Sequence, residues 1–192
     1  ECRRMGLHVK GPDVNESGVH FSVNKKGDIR YGMGGVKGVG EAAVESLIQE
    51  RSKGGPFKNI YEFMRRLNLR TINKKVMESL AFAGAFDGMG MSRAAFFAEA
   101  EKDTTFIEKL LRYGGAHQED KAMSAHSLFG DLSDTVSIPE PPVPKVPEWS
   151  LIFRLQKEKD VVGIYLSGHP LDDYKYEWSN FATPLEKMEN AA

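Results

Sequence analysis

Residues 34–45, GGVKGVGEAAVE, have the composition of a phosphate-binding loop. Gly38 and Gly40 lack a Cβ atom, so a negatively charged ligand can come close to the backbone there. The residues that follow read as a helix, whose N-terminus favours an anion, and Lys37 adds a cationic side chain. The loop therefore predicts a phosphate site, for either a nucleotide cofactor or a nucleic-acid backbone.

A nucleotide site requires elements that do not follow the loop. Gly38, Gly40 and Ala43 match the spacing G-x-G-x-x-(G/A) of a dinucleotide-binding loop, but in that fold the helix leads to a second parallel strand. Residues 54–67 read instead as a turn and another helix. A P-loop is disfavoured too, because Lys37 precedes Gly38 and no Ser or Thr comes next.

A tight hairpin between two helices fits the loop better. Val36 and Val39 would point inward, while the N–H groups of Gly38, Val39 and Gly40 would face one phosphate of a DNA strand. Such a contact positions the DNA and reads no base. The order apolar-Lys-Gly-apolar-Gly resembles the helix-hairpin-helix motif. The structural alternative is a glycine turn that ends a helix and binds nothing.

A basic stretch downstream also favours DNA. It holds five cationic residues and no acidic one, namely Arg65, Arg66, Arg70, Lys74 and Lys75. A charge run is often only a solvated face, and each phosphate contact would weaken as salt rises. Residues 83–87 form an equivalent hairpin that lacks the second glycine and contains Asp87. We expect it to be a structural partner of the first.

The composition of the chain excludes several other classes of protein. The 192 residues have a net charge of −1, so nucleic-acid binding must depend on a local patch. One cysteine excludes a disulfide framework and a multi-cysteine zinc site. No apolar run approaches the ~20 residues that span a bilayer. Because the chain begins at Glu1 with no initiator Met, we expect it to be a piece of a longer protein.

The periodicity predicts a mainly α fold in which a tandem helix-hairpin-helix bundle follows a small N-terminal β-hairpin. Val19, Phe21 and Val23 alternate as in a half-buried strand, and a turn leads to a return strand. Helical periods recur from Gly40, ending with candidate helices at residues 103–113 and 149–160. Five prolines between the last two predict an extended connector.

The order of several blocks resembles the bacterial replicative DNA polymerase III alpha subunit family. These blocks are ECRRMG, GPDVNES, IRYGMGGVKGVGEAAVE, GGPF, NKKVMESL, GAFD and GIYLSGHPLDDY. The resemblance implies four segments: the end of a fingers domain with the β-hairpin (1–32), the tandem helix-hairpin-helix DNA-binding domain (33–113), a linker with a clamp-binding peptide (114–147) and a C-terminal helical segment (148–192).

The same resemblance implies a non-catalytic piece of a DNA-directed DNA polymerase. The family's catalytic aspartates and their divalent metal, Mg²⁺, belong to a palm domain that nothing here resembles, so we expect no cofactor, metal site or polymerase activity in this chain. The implied partners are duplex primer–template DNA, the sliding clamp and other holoenzyme subunits, in the bacterial cytoplasm. The alternative function is a replisome protein-interaction module without DNA contact.

A clamp-binding peptide is implied after the helix-hairpin-helix. Ser127, Leu128 and Phe129 fit its second half, with Leu128 and Phe129 as pocket anchors. Ala125 stands where the family pattern has Gln, which removes a hydrogen-bonding anchor. Alternatively, Leu128 and Phe129 pack on neighbouring helices.

Overall fold

The computed structural model describes residues 2, 4–126 and 138–183. Its helices are α1 (Glu41–Gly54), α2 (Ile60–Arg66), α3 (Lys74–Phe82), α4 (Arg93–Phe97), α5 (Phe106–His126), α6 (Leu151–Val162) and α7 (Lys175–Phe181). Short strands are β1 (Val9–Lys10), β2 (Ser22–Val23), β3 (Ile29–Arg30), β4 (Glu99–Glu101) and β5 (Thr104–Thr105). The predicted mainly α fold, with a β-hairpin before the helices, is confirmed.

The N-terminal hairpin joins a three-stranded sheet. Strand β3 lies between β2, which is antiparallel to it, and β1, which is parallel. The turn closes because Asn24 Oδ1 accepts the N–H groups of Lys26 and Asp28, both at 2.9 Å. Burial differs from the predicted alternation: Phe21 is 57% exposed and Val23 is 70% exposed. Two-residue strands at the edge of this small sheet have no second layer to cover them.

Asparagine and serine side chains cap the first turns of α3 and α4. Asn73 Oδ1 accepts the Val76 N–H of α3 at 3.1 Å, and Ser92 Oγ accepts the Ala95 N–H of α4 at 3.1 Å. These side chains satisfy backbone donors that a first helical turn leaves unpaired. The helix α1 ends at Gly54, followed by Gly55 with φ of +74°.

The region after α4 differs from the prediction. The helix α4 ends at Phe97, and β4 and β5 form a hairpin turned at Asp103, whose φ is +59°. The fifth helix begins at Phe106 and continues to His126, beyond the expected end at residue 113. Thr105 and Glu108 explain the start, because the Thr105 N–H donates to Glu108 Oε2 at 2.7 Å and the Glu108 N–H donates to Thr105 Oγ1 at 3.4 Å.

A chain of phenylalanine rings crosses the core. The rings of Phe57, Phe63, Phe86, Phe96 and Phe106 follow one another with centroids 5.0, 5.2, 5.1 and 6.5 Å apart, and each is at most 2% exposed. They connect the turn before α2, the second hairpin, α4 and α5. The two hairpins and the helices between them therefore share one hydrophobic core.

The proline-rich connector lies against the helices. Its described part, residues 138–150, has no regular structure, and the Tyr61 hydroxyl of α2 donates to the Pro141 carbonyl at 2.7 Å. The helix α6 then packs against α3 through Leu155 and Val162, both buried. Across these described stretches, no helix is both long and apolar enough to cross a membrane.

Candidate nucleic-acid interface

The first hairpin leads into α1 from a single 3-10 turn. Val36 and Val39 are buried, as predicted, but Met33–Gly35 forms only a short 3-10 turn where a first helix was expected. Glycines have low helix propensity, and these are packed tightly: a Cβ on Gly34 would lie 2.9 Å from the Val19 carbonyl oxygen. Close packing, and not a ligand, accounts for the glycines before Val36.

Two of the three predicted hairpin N–H groups are available to a ligand. The Val39 N–H is used internally, since it donates to the Val36 carbonyl at 3.0 Å. The N–H groups of Gly38 and Gly40 have no acceptor among the residues that the structure describes. Because both residues are exposed and Gly40 is the N-cap of α1, their donors can reach an anion in solvent.

The two glycines differ in what the fold requires of them. Gly38 has φ of +89°, and a Cβ there would lie 2.8 Å from Ser79 Oγ on α3. Gly40 has φ of −76°, which any residue adopts, and a Cβ there would meet nothing within 4 Å. The hairpin turn needs Gly38, whereas the fold leaves Gly40 open to substitution.

Replacing Gly38 by alanine is expected to lower the free energy of unfolding by about 1–2 kcal/mol, because an L-residue is strained at positive φ. Contact with the Ser79 hydroxyl adds to the cost. Chemical denaturation measures the change. Gly40→Ala is the control, expected to cost less, about 0.5 kcal/mol, because alanine is only a poorer N-cap than glycine at that position. Equal stabilities of the two variants would contradict this account of the turn.

Two lysines flank the open donors. Lys37 and Lys75 are exposed, and neither ammonium group has an ion-pair or hydrogen-bond partner within the described part of the chain. The Lys75 side chain runs beside Gly38, with its Cε 3.4 Å from where a Cβ on that glycine would lie. We call Lys37, Gly38, Gly40 and Lys75 the hairpin site.

Internal contacts already occupy much of the predicted basic stretch. Arg66 donates to Glu62 at 2.9 Å and to the carbonyls of Glu50 and Gly55, and its guanidinium lies over the Phe57 ring. It therefore fastens the end of α1 to α2. Arg65 donates to Tyr113 and, at 3.0 Å, to Glu140 of the connector.

Lys74 is also paired, unlike its neighbour Lys75. Its ammonium lies 3.0 Å from Glu108 Oε1 and 3.9 Å from Glu78 Oε1. The pKa of Glu108 falls to about 2, because it accepts the Thr105 N–H and also contacts Lys74 and the Thr105 hydroxyl. The hydrogen bond to Glu108 raises the pKa of Lys74. This lysine is less available to DNA than its position in the sequence indicates.

Contacts within the protein occupy the second hairpin, residues 83–87. Arg93 fills the space beside Gly84, paired with Asp87 at 2.7 Å and with the buried Glu158 of α6 at 3.0 Å. The N–H groups of Gly84, Ala85 and Asp87 donate to main-chain carbonyls, and the Ala85 carbonyl accepts the Val14 N–H at 3.1 Å. These donors are not available to a phosphate, which supports the structural interpretation of this hairpin.

The helix α6 supports the first hairpin, and sequence reasoning missed this. The Lys37 N–H donates to the Val161 carbonyl at 2.8 Å. The Tyr31 hydroxyl lies 3.0 Å from the Val162 carbonyl oxygen and 3.2 Å from that of Gly35. No local pattern could reveal these contacts, since Tyr31 and Val162 are 131 positions apart.

The remaining predicted sites have different outcomes. Arg70 is exposed and lies in a groove beside α5 whose lining does not include the residues of the hairpin site. The predicted clamp-binding residues Ser127, Leu128 and Phe129 lie outside the described residues. Within the described ranges, no three His, Cys, Asp or Glu side chains group in a way that could hold a metal ion.

Known proteins match almost the whole chain. The helix-hairpin-helix motif family matches residues 6–96. DNA polymerase III subunit alpha of Vibrio cholerae serotype O1 is 38% identical over 95% of this chain, that of Pasteurella multocida 39% over 98% and that of Escherichia coli K12 34% over 92%. The chain spans 15–16% of the length of these relatives. The chain thus belongs to the DNA polymerase III alpha subunit family, as a homologue of one segment of it.

Proposed function

We propose that this chain binds the backbone of duplex DNA, without sequence specificity, as a segment of a replicative DNA polymerase III alpha subunit. The observation that carries the proposal is the hairpin site, where the N–H groups of Gly38 and Gly40 and the ammonium groups of Lys37 and Lys75 have no partner among the described residues. Backbone donors at a helix N-terminus bind one phosphate, and lysines nearby add attraction that does not depend on the base.

The role within the parent protein follows from the same proposal. Duplex held at the hairpin site would be primer–template during DNA replication in the cytoplasm, while phosphoryl transfer with Mg²⁺ takes place in a palm domain elsewhere. The sliding clamp and other holoenzyme subunits are further proposed partners. Ser127, Leu128 and Phe129 are the proposed clamp contact, weakened by Ala125 in place of Gln.

A protein-interaction module is the second candidate function. The C-terminal end of the described chain favours it, because Tyr174, Tyr176 and Phe181 are 52%, 74% and 84% exposed. Aromatic side chains at this exposure are typical of surfaces that bind another protein. This function does not exclude DNA binding at the hairpin site, which is a different surface.

Salt-dependent binding of duplex DNA tests the proposal. Replacing Lys37 and Lys75 together by alanine is expected to weaken binding about tenfold and to lower the salt slope by about 2, since each lost phosphate contact removes about 0.9 from it. Lys74→Ala is the control, a neighbouring lysine already paired with Glu108. We expect it to change the slope by less than about 0.5.

Fluorescence anisotropy over a range of salt concentrations, on primer–template and on single-stranded DNA, gives the affinity and the slope. If the Lys37→Ala/Lys75→Ala chain and the original chain show one slope, the hairpin site does not bind DNA. A protein-interaction module alone would give weak binding that no hairpin substitution alters.

A further inference from the structure

A groove with cationic residues in its lining lies where α1, α2 and α5 meet. The groove is about 390 Å³ and contains Ser46 of α1, Asn68 and Arg70 after α2, and Lys121 of α5. Sequence reasoning grouped Arg70 with the other cations of the basic stretch and did not single out Lys121. The structure brings these two residues into one groove, 51 positions apart along the chain.

The walls of the groove are fixed by direct contact between α2 and α5. The Gln118 side chain donates from Nε2 to the Leu67 carbonyl at 2.6 Å. Gly114 lets the two helices come close, because a Cβ there would lie 2.8 Å from the Met64 carbonyl oxygen. A groove between helices packed this closely is preformed, so a ligand would not have to order it.

Three side chains in the groove have hydrogen-bond donors that no described residue of the protein accepts. The Asn68 Oδ1 accepts the Arg70 N–H at 2.9 Å, which fixes that side chain and leaves its NH₂ group without an acceptor. In the chain as described, the Arg70 guanidinium and the Lys121 ammonium have no ion-pair or hydrogen-bond partner either. Two cations and an amide therefore converge on one space.

The opposing charge in the groove is smaller. Glu50 is the acidic residue in the lining, and its Oε1 lies 3.8 Å from the Lys53 ammonium. Arg65 and Arg66 also border the groove, although their own contacts hold part of their hydrogen-bonding capacity. The balance favours a ligand with negative charge and several acceptor oxygens, which describes a phosphodiester.

Helix α1 connects this groove to the hairpin site. Gly40 is the N-cap of α1, and Ser46 follows six residues later, about 9 Å along the helix axis. Successive phosphates of one strand rise about 3.4 Å along a duplex, so the two sites would be roughly three nucleotides apart on a duplex whose axis runs along α1. One strand that follows α1 can reach both.

We propose that Arg70 and Lys121 bind a second backbone phosphate of the DNA held at the hairpin site. The inference rests on the proposed DNA binding and adds a second contact to it. A single hairpin fixes one point of the duplex, and a second contact on the same strand fixes its direction across the protein.

The test is duplex binding by the 192-residue chain with Arg70→Ala and Lys121→Ala. We expect about tenfold weaker binding and a salt slope lower by about 2. The control is Lys102→Ala/Lys145→Ala, which removes the same charge from two exposed positions outside the groove. It is expected to change the slope by less than half as much.

Comparison with the hairpin variant separates failure of this inference from failure of the proposed function. If Lys37→Ala/Lys75→Ala weakens binding and the groove variant matches its control, the second phosphate site is wrong and the hairpin function stands. If neither pair alters binding, both are wrong. If only the groove variant weakens binding, the groove binds DNA and the hairpin site does not.

Discussion

Replacing Glu158 by alanine is expected to lower the free energy of unfolding by about 3–5 kcal/mol, the range for breaking a buried ion pair by removing one partner. The side chain is 1% exposed. Its Oε2 accepts from Arg93 at 3.0 Å, and its Oε1 accepts the N–H groups of Leu166 and Ser167 at 2.6 and 2.9 Å. Alanine leaves all three donors without this acceptor. Urea denaturation measures the change.

The Asp160→Ala variant is the matched control, because Asp160 is exposed on the same helix. It is expected to remain within about 0.5 kcal/mol of the original chain. A Glu158→Ala chain as stable as this control would show that α6 does not depend on the ion pair. Because the carbonyls of Val161 and Val162 contact the first hairpin, we also expect the unstable variant to bind duplex DNA more weakly.

The same carboxylate predicts a dependence of stability on pH. Burial alone would raise the pKa of Glu158, but hydrogen bonds from Ser167, Leu166 and Arg93 outweigh it and the pKa is lowered from 4.5. The unfolded chain therefore takes up this proton first as the pH falls. The stabilisation is complete above pH 4.5 and is lost as the pH falls through the folded-state pKa. Glu158→Gln should lack this part of the acid sensitivity.

Local sequence signals account for several ends of the helices. The caps Asn73 and Ser92 and the stop at Gly54 depend only on near neighbours, so a single sequence can reveal them. The start of α5 could have been predicted equally well, since Thr105 and Glu108 have the spacing of a capping box. Reading that box would have placed the helix start correctly and left room for the hairpin of β4 and β5.

Which cations remain free could not be predicted in this way. Lys74 and Lys75 are adjacent and chemically alike, yet Glu108 pairs with one of them from 34 positions away. Arg66 and Arg70 differ in the same manner, because Arg66 contacts carbonyls at the end of α1. A count of positive charges in the basic stretch therefore overestimates the surface that can attract phosphate.

The roles of the individual glycines in residues 34–45 could not be predicted from the sequence either. As a group they predict a ligand loop, but the structure assigns different causes to them. Gly34 is required by packing and Gly38 by its backbone angle, whereas Gly40 has an ordinary backbone angle and open space around it. Several other helices of this chain begin with an Asn or Ser side chain that caps the first turn. The helix α1 begins with the exposed Gly40 and has no such cap. Phosphate binding would explain why glycine stands there.

Replacing Gly40 by aspartate is accordingly expected to weaken duplex binding about a hundredfold while leaving the fold intact. The new carboxylate would lie at the start of α1, which has no side-chain cap. It would cap N–H groups of the first helical turn and occupy the open space beside the Gly40 N–H, where the proposal places a phosphate. It would also repel that phosphate, at a cost on the order of 3 kcal/mol for charges about 5 Å apart near a surface. Anisotropy with duplex DNA measures the affinity.

Asparagine at the same position separates the effect of the side chain on duplex binding from the effect of its charge, because asparagine has nearly the shape of aspartate and no charge. Gly40→Asn should cap the first turn of α1 and fill the space beside the Gly40 N–H without repelling a phosphate. Gly40→Ala should add only a Cβ atom, so affinity is expected to fall in the order Gly, Ala, Asn, Asp. Stability should follow a different order, since Asp and Asn cap a helix better than Gly by a few tenths of a kcal/mol. An Asp variant that is at least as stable as the original chain and binds duplex equally well would remove the hairpin site from the DNA interface. A variant that is more stable yet binds much more weakly would show that the uncapped start of α1 is kept for the phosphate.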